Sequence, residues 1–312
     1  MDAFTLGGTI SHYQVLFLPF YFNGEIRIAI RSFEHEGRSM VLAVDPVRLE
    51  TTVIPALSVD FFQFVPRNRW RYSRFYASLL KHTSAPYPLQ NDGLTEADAP
   101  IEGTLLTADL CPSRKPLEKR LFEELIALCK EGGVPVPVGI AISGIWAATH
   151  GTDLQWLIDR MQERKLTITW INHSFSHPYD SREPLHETFL LTPGINFKKE
   201  ILLTEAMLLG KGLLPSIFFR FPGLVSDRRL IRQLRKLSLI PVGSRAWLAK
   251  GESPAEGSII LVHGNGNEPQ GIDLFLELFR KRKDDFVHGS LKLRPLSDAV
   301  AAPENGAGLT PP

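Results

Sequence analysis

The chain has 312 residues, 44% of them apolar and 22% charged, an ordinary globular composition that excludes a wholly disordered chain. Lys and Arg number 35 against 34 Asp and Glu, a net charge of +1, so no basic excess points to nucleic acid. No apolar run reaches the roughly 18 residues that span a membrane, and two cysteines, Cys111 and Cys129, cannot build a disulfide framework.

Residues 13–22 (YQVLFLPFYF) are strongly apolar. The run is short, Pro19 interrupts it, and no Lys or Arg precedes Arg27, so a buried strand fits better than a secretory signal. That makes a cytoplasmic location the default, with periplasmic or extracellular as the alternative if the segment is a degenerate or misassigned export signal. Short apolar or alternating runs at 25–33, 39–46 and 50–57 predict further strands, and 74–82 a helix. Residues 84–103 (SAPYPLQNDGLTEADAPIEG) read as loop. The expectation is a β-rich N-terminal region over 1–100 whose role the sequence does not disclose.

From about 101 to 298 the texture changes. Strands are predicted at 103–109, 136–143, 167–172, 216–221, 239–244, 258–263 and 286–293. Between them, apolar residues recur at helical spacing. Leu117, Leu121, Leu125, Leu128 and Cys129 mark one helix ending at Gly132 and Gly133. Leu154, Leu157, Ile158 and Met161 mark a second, and Leu202, Ala206 and Leu209 a third. Leu230, Ile231, Leu234 and Leu237 mark a fourth, and Ile272, Phe275, Leu276 and Phe279 a fifth. Strands alternating with helices predict a parallel sheet with helices outside it. The GNG at 264–266 lacks the spacing of a nucleotide-binding turn, which favours a barrel. Residues 299–312 (AVAAPENGAGLTPP) are expected to form a disordered tail.

In a parallel barrel every strand C-terminus opens on one face, where chemistry is built. Asp109 falls near the end of the first of these strands. His173 and His177 follow the third, Arg220 ends the fourth, Trp247 follows the fifth and His263 ends the sixth. Singly, each residue type has an ordinary structural role as turn, salt-bridge partner or core side chain. Together they supply two imidazoles for a metal, a carboxylate, a cation to orient it and a second acid–base group.

In these residues the chain resembles the polysaccharide deacetylase family, the NodB-homology domain of carbohydrate esterase family 4, over residues 101–298. TADLCP (107–112) is similar to that family's TFDDGP, HSFSHP (173–178) to its H[ST]xxHP, RFP (220–222) to its RxP, and LVH (261–263) to its LxH. The resemblance implies a distorted (β/α)7 barrel and a metal-dependent hydrolase that removes acetyl groups from an N- or O-acetylated carbohydrate. It implies a divalent metal, Zn²⁺ by ligand type, held by His173 and His177. Asp109 would be the general base, Arg220 the group that keeps it ionised and oriented, and His263 the general acid.

Three departures stand out. Leu110 replaces the second Asp, which the family uses as third metal ligand, leaving Asp109 or Cys111 as candidates for that place. Both carboxylates of the family's DxxDW fall on Gly243 and Ala246, although Trp247 survives. Gly223 stands where many members have an aromatic residue. Two alternatives therefore stay open beside the deacetylase: a pseudoenzyme that binds carbohydrate in the same cleft, and a hydrolase of another non-peptide C–N bond. The sequence does not disclose the sugar, the metal or the oligomeric state.

Overall fold

The computed structural model of the protein describes residues 7–59, 65–129, 134–281 and 292–302. The N-terminal part is a four-stranded antiparallel meander in the order β1 (Ile10–Phe22), β2 (Glu25–His35), β3 (Arg38–Val44) and β4 (Thr51–Pro55). The apolar run at 13–22 lies inside β1. Pro19 is tolerated there because β1 is an edge strand with one unpaired side. The helices α1 (Arg67–Trp70) and α2 (Arg74–His82) follow, α2 with Ser73 as its cap.

The second part carries seven parallel strands. In chain order it runs β5 (Leu105–Leu110), α3 (Lys119–Cys129), β6 (Val136–Ile142), α4 (Gly144–Thr149), α5 (Gly151–Gln162) and β7 (Leu166–Asn172). It continues with α6 (Phe197–Gly210), β8 (Pro215–Phe219), α7 (Arg228–Lys236), β9 (Ile240–Pro241), β10 (Ala246–Trp247), β11 (Ile259–His263) and α8 (Pro269–Lys281). The spatial order β10-β11-β5-β6-β7-β8-β9 curls the sheet into a distorted (β/α)7 barrel, as expected. The membership differs in one place. The seventh strand is β10, two residues long and too short for a periodic signal. Residues 286–291 of the strand expected at 286–293 lie outside the described residues, and Leu293 makes only an isolated bridge to Thr104.

Four of the five helices bury the predicted faces; on α6 only Leu209 of the predicted face is buried, while Leu202 and Ala206 are half-buried and Ile201, Thr204, Glu205 and Leu208 face the interior. Leu121, Leu125, Leu154, Leu157, Ile272, Phe275, Leu276 and Phe279 share one cluster with the outward side chains of the strands. The side chains of Leu128 and Cys129, and Gly132 and Gly133, lie outside the described residues. Among the described residues, no helix is long and apolar enough to cross a membrane.

The loop at 84–103 closes the seam between β9 and β11. Leu94 donates to Pro241 O at 2.9 Å and accepts from Gly243 N at 2.9 Å, while Thr95 O accepts from Ile259 N at 3.2 Å. Gly93 makes this approach, with φ +103° and no room for a side chain: a Cβ would lie 2.4 Å from Pro241 O.

The N-terminal sheet packs over the end of the barrel where its strands begin. Ile28, Ile30, Phe33, Met40, Leu42 and Val44 form one apolar cluster with Leu105 and Ile259, the first residues of β5 and β11. The junction is also polar. Fully buried Arg31 donates to both carboxylate oxygens of Glu205 on α6, at 2.6 and 2.8 Å, and to Leu237 O at 2.8 Å. Tyr13 donates to the same carboxylate at 3.1 Å. Ala299 and Val300, expected in the tail, are buried in this cluster. They are apolar and the sheet offers them a face. Residues 303–312 lie outside the described residues.

Candidate active site

Side chains alternate along β5, and the alternation decides what can reach the barrel mouth. Leu106, Ala108 and Leu110 point outward into the helix layer. Thr107 and Asp109 point inward, where Arg220 meets both, and Cys111 continues their side. Leu110 is thus fully buried away from the cleft, with its Cδ2 against Gly264.

Arg220 follows β8 and is fully buried. Its guanidinium donates to Asp109 Oδ1 at 2.7 Å, Thr107 Oγ1 at 2.8 Å, Gly243 O at 2.8 Å and Val242 O at 3.3 Å. Backbone carbonyls thus occupy the guanidinium edge not turned to Asp109. A side chain at Gly243 would have to displace the Asn91 amide, since its Cβ would lie 2.4 Å from Asn91 Oδ1. Ala246 is buried in the helix layer. Burial alone would raise the Asp109 carboxyl, but the charges of Arg220, His173 and His263 hold it below the usual carboxylate range.

The loop after β7 brings in the two histidines through strained backbone: Ser174 and His177 have φ of +62° and +45°. Several groups hold it there. Glu200 on α6 accepts from the Phe175 and Ser176 amides at 2.9 and 2.7 Å and from Ser176 Oγ at 2.9 Å. Asn172 Oδ1 accepts from Ser174 N at 3.0 Å. Neither Glu200 nor Asn172 carries a sequence signal, because each acts through contacts the local pattern does not encode.

His173 Nδ1 pairs with Arg220 O at 2.9 Å. Carrying its proton there, the ring leaves Nε2 as a lone-pair donor toward the cleft. Nε2 lies 3.5 Å from Cys111 Sγ and 3.8 Å from Asp109 Oδ2. One ligand atom each of Cys111, His173 and His177 lie within 4.8 Å of one another, and His177 Nε2 is buried with no hydrogen-bond partner. This donor set fits a metal. A tetrahedral zinc with bonds of about 2.3 Å to sulfur and about 2.0 Å to nitrogen separates those two ligands by roughly 3.5 Å. A buried imidazole nitrogen without a hydrogen-bond partner has a lone pair to offer a metal ion. Burial raises the Cys111 thiol, but His177, His173 and His263 outweigh it and hold the thiol well below its ordinary value. Burial lowers the His177 imidazolium, and the facing Cys111 more than reverses this.

His263 ends β11 opposite Asp109 in the β11–β5 register. Its Nδ1 comes within 2.8 Å of Glu268 Oε2 as an ion pair, with the oxygen off the N–H axis, so that no in-line hydrogen bond forms. Burial lowers this imidazolium, and Cys111, Glu268 and Asp109 together carry it well above the ordinary histidine value. Trp247 is not simple core packing: it is half-buried, its ring lies 5.8 Å from the His263 ring, and its Nε1 donates to Glu268 Oε2 at 2.8 Å.

These groups line a cleft of about 540 Å³. Phe189 and Tyr179 form one wall, stacked at 4.8 Å and 21°, and Phe189 meets His177 edge-on at 5.8 Å. Gly223 has φ +61°, and a Cβ there would lie 2.4 Å from the Phe189 ring. An aromatic ring from a different loop thus fills the space beside Gly223.

In the order of its motifs and in the barrel that carries them, the chain resembles the polysaccharide deacetylase family. Residues 11–75 match the family model described as the RP012 protein N-terminal domain. Among solved structures, the chain is similar to a family 4 carbohydrate esterase from Bacillus anthracis, with 20% identity over 72% of this chain and 91% of that one and a TM-score of 0.45. It is also similar to the chitin deacetylase of the fungal pathogen Colletotrichum lindemuthianum, with 18% identity over 68% and 92% and a TM-score of 0.45. A family 4 pseudoenzyme from Bacillus anthracis matches at 12% identity over 64% and 66%, with a TM-score of 0.43.

Proposed function

We propose that the chain is a metal-dependent hydrolase that removes acetyl groups from an N- or O-acetylated carbohydrate by attack of water on the acyl carbon. The observation that carries the reading is the meeting of Cys111, His173 and His177 beside the buried Asp109–Arg220 pair and His263 at the barrel mouth. His173, His177 and Cys111 would hold a divalent ion, Zn²⁺ by donor type. When bound, that ion supplies Lewis acidity toward the acyl oxygen and the attacking water.

The protein's own groups divide the proton work. Asp109 is ionised and takes a proton from the attacking water. Arg220 keeps it ionised and fixes its direction through a buried 2.7 Å contact. His263 delivers a proton to the leaving nitrogen or oxygen. The stacked faces of Tyr179 and Phe189, with Tyr179 63% exposed at the rim, offer apolar area to a sugar ring.

A second reading, a carbohydrate-binding pseudoenzyme, is favoured by one observation: Leu110 is packed away from the cleft, so the family's carboxylate ligand is absent. Metal analysis of the purified protein combined with acetate release from chito-oligosaccharides separates the two. Stoichiometric zinc, abolished in His173→Ala and His177→Ala without loss of fold, together with acetate release, supports the hydrolase. Metal-free protein that still binds the oligosaccharide supports the second reading. Full zinc occupancy in either histidine variant rejects the site itself.

A further inference from the structure

We propose that Glu268, at the start of α8, is the positioning residue of His263. The inference rests on the reading of His263 as the proton donor. Three observations carry it. Glu268 Oε2 lies 2.8 Å from His263 Nδ1. The same oxygen accepts from Trp247 Nε1 at 2.8 Å, so the carboxylate is also held by a second group that is itself half-buried. And Glu268 lines the same cleft as His263 and Trp247.

A neutral imidazole has two tautomers, and only one serves here. With the Nδ1 proton on Glu268, Nε2 is the nitrogen left to exchange a proton with a reacting group. The terminal torsion of a histidine is soft, and catalytic hydrogen bonds commonly align only when the reacting group is in place. The off-axis oxygen therefore needs only a rotation of the ring. Trp247 makes the arrangement directional: its indole can only donate, so it holds Glu268 as an acceptor toward both neighbours. Glu268 is five residues beyond LVH, in a stretch with no motif, and it meets Trp247 because β10 lies beside β11.

The test uses the full-length protein labelled with ¹⁵N-histidine. Long-range ¹H–¹⁵N spectra are recorded at a pH where the His263 ring is neutral, its signals assigned by their loss in His263→Gln. Wild type is expected to carry the ring proton on Nδ1. Glu268→Ala should move it wholly or partly to Nε2, and Glu268→Gln, which keeps an acceptor oxygen, should restore it. Zinc content should be unchanged in all three. Where acetate is released, Glu268→Ala should lower kcat by at least about tenfold with KM little changed, within the range that general acid catalysis contributes. The same His263 tautomer in wild type and Glu268→Ala overturns the proposal, as does a wild-type proton on Nε2. Absence of zinc or of acetate release counts against the proposed function and leaves the tautomer reading intact, so the two fail separately.

Discussion

Leu110→Asp is the substitution that would seem to rebuild the missing metal ligand, and the structure predicts that it will not. Leu110 is fully buried and faces the helix layer, on the opposite side of β5 from Asp109 and Cys111. The new carboxylate would point away from His173 and His177. Losing the leucine costs about 2–3 kcal/mol of apolar burial. A carboxyl enclosed among aliphatic side chains has its pKa raised by about 3–5 units, and keeping it neutral at pH 7 costs roughly another 4 kcal/mol. The total of about 6 kcal/mol is a large share of the 5–15 kcal/mol that typically holds a domain together. The expected result is a fall in melting temperature of about 10–25 °C, or insoluble protein, with no tighter zinc binding. Thermal melts and zinc competition against a chromophoric chelator measure both quantities. Leu110→Met is the volume-matched control and should melt within a few degrees of wild type, while Cys111→Ser should weaken zinc at least about tenfold. A soluble Leu110→Asp protein that melts like wild type and binds zinc more tightly would refute the assignment of Leu110 to the helix layer and of Cys111 to the metal.

Three further outcomes follow from the same contacts. Arg220→Met strands Asp109 as a buried unpaired charge and should cost about 3–5 kcal/mol; adding Asp109→Leu should recover much of it, and an additive double mutant in chemical denaturation would contradict the pairing. Zinc affinity should rise with pH through the elevated His177 value and then level off, because His177 binds metal only after shedding the proton that Cys111 stabilises; competition titrations giving equal affinity at pH 6 and pH 9 would argue against His177 as a ligand. Asp92 is raised by burial to about 6. Its native pKa lies above the unfolded value, so its stabilisation is complete below about pH 4 and is lost as pH rises through 6. Asp92→Asn should therefore stabilise the protein at pH 7–8 by about 1 kcal/mol, the figure reduced for partial solvent screening, and should give no gain at pH 4; equal gains at both pH values would mean that charge is not the cause.

Much of the architecture was written in periodicity. Four helices of the second part and six of its strands carry the apolar spacing that puts one face on the core, and local spacing survives whatever the distant chain does; α4 is too short for such a signal, and α6 turns a different face inward. The same reading placed Asp109, Arg220 and His263 at strand ends and His173 and His177 just beyond one. In a parallel sheet that alone brings them to one mouth. Strand alternation even contained the fate of Leu110, since neighbours of an inward Asp109 must face out. Other features had no local trace. β10 is two residues long, and it forms because β11 offers it a ladder. Residues 94–97 look like loop and become the clasp of the barrel because β9 and β11 leave unpaired backbone on either side of them. Glu200 steadies the histidine loop from α6, Trp247 reaches Glu268 through the pairing of β10 with β11, and the Phe189 ring fills the space beside Gly223 from another loop. Each depends on where the backbone carries two distant segments. Short-range pattern specifies which face of an element is apolar, whereas partners for buried polar groups are set by the three-dimensional meeting of elements.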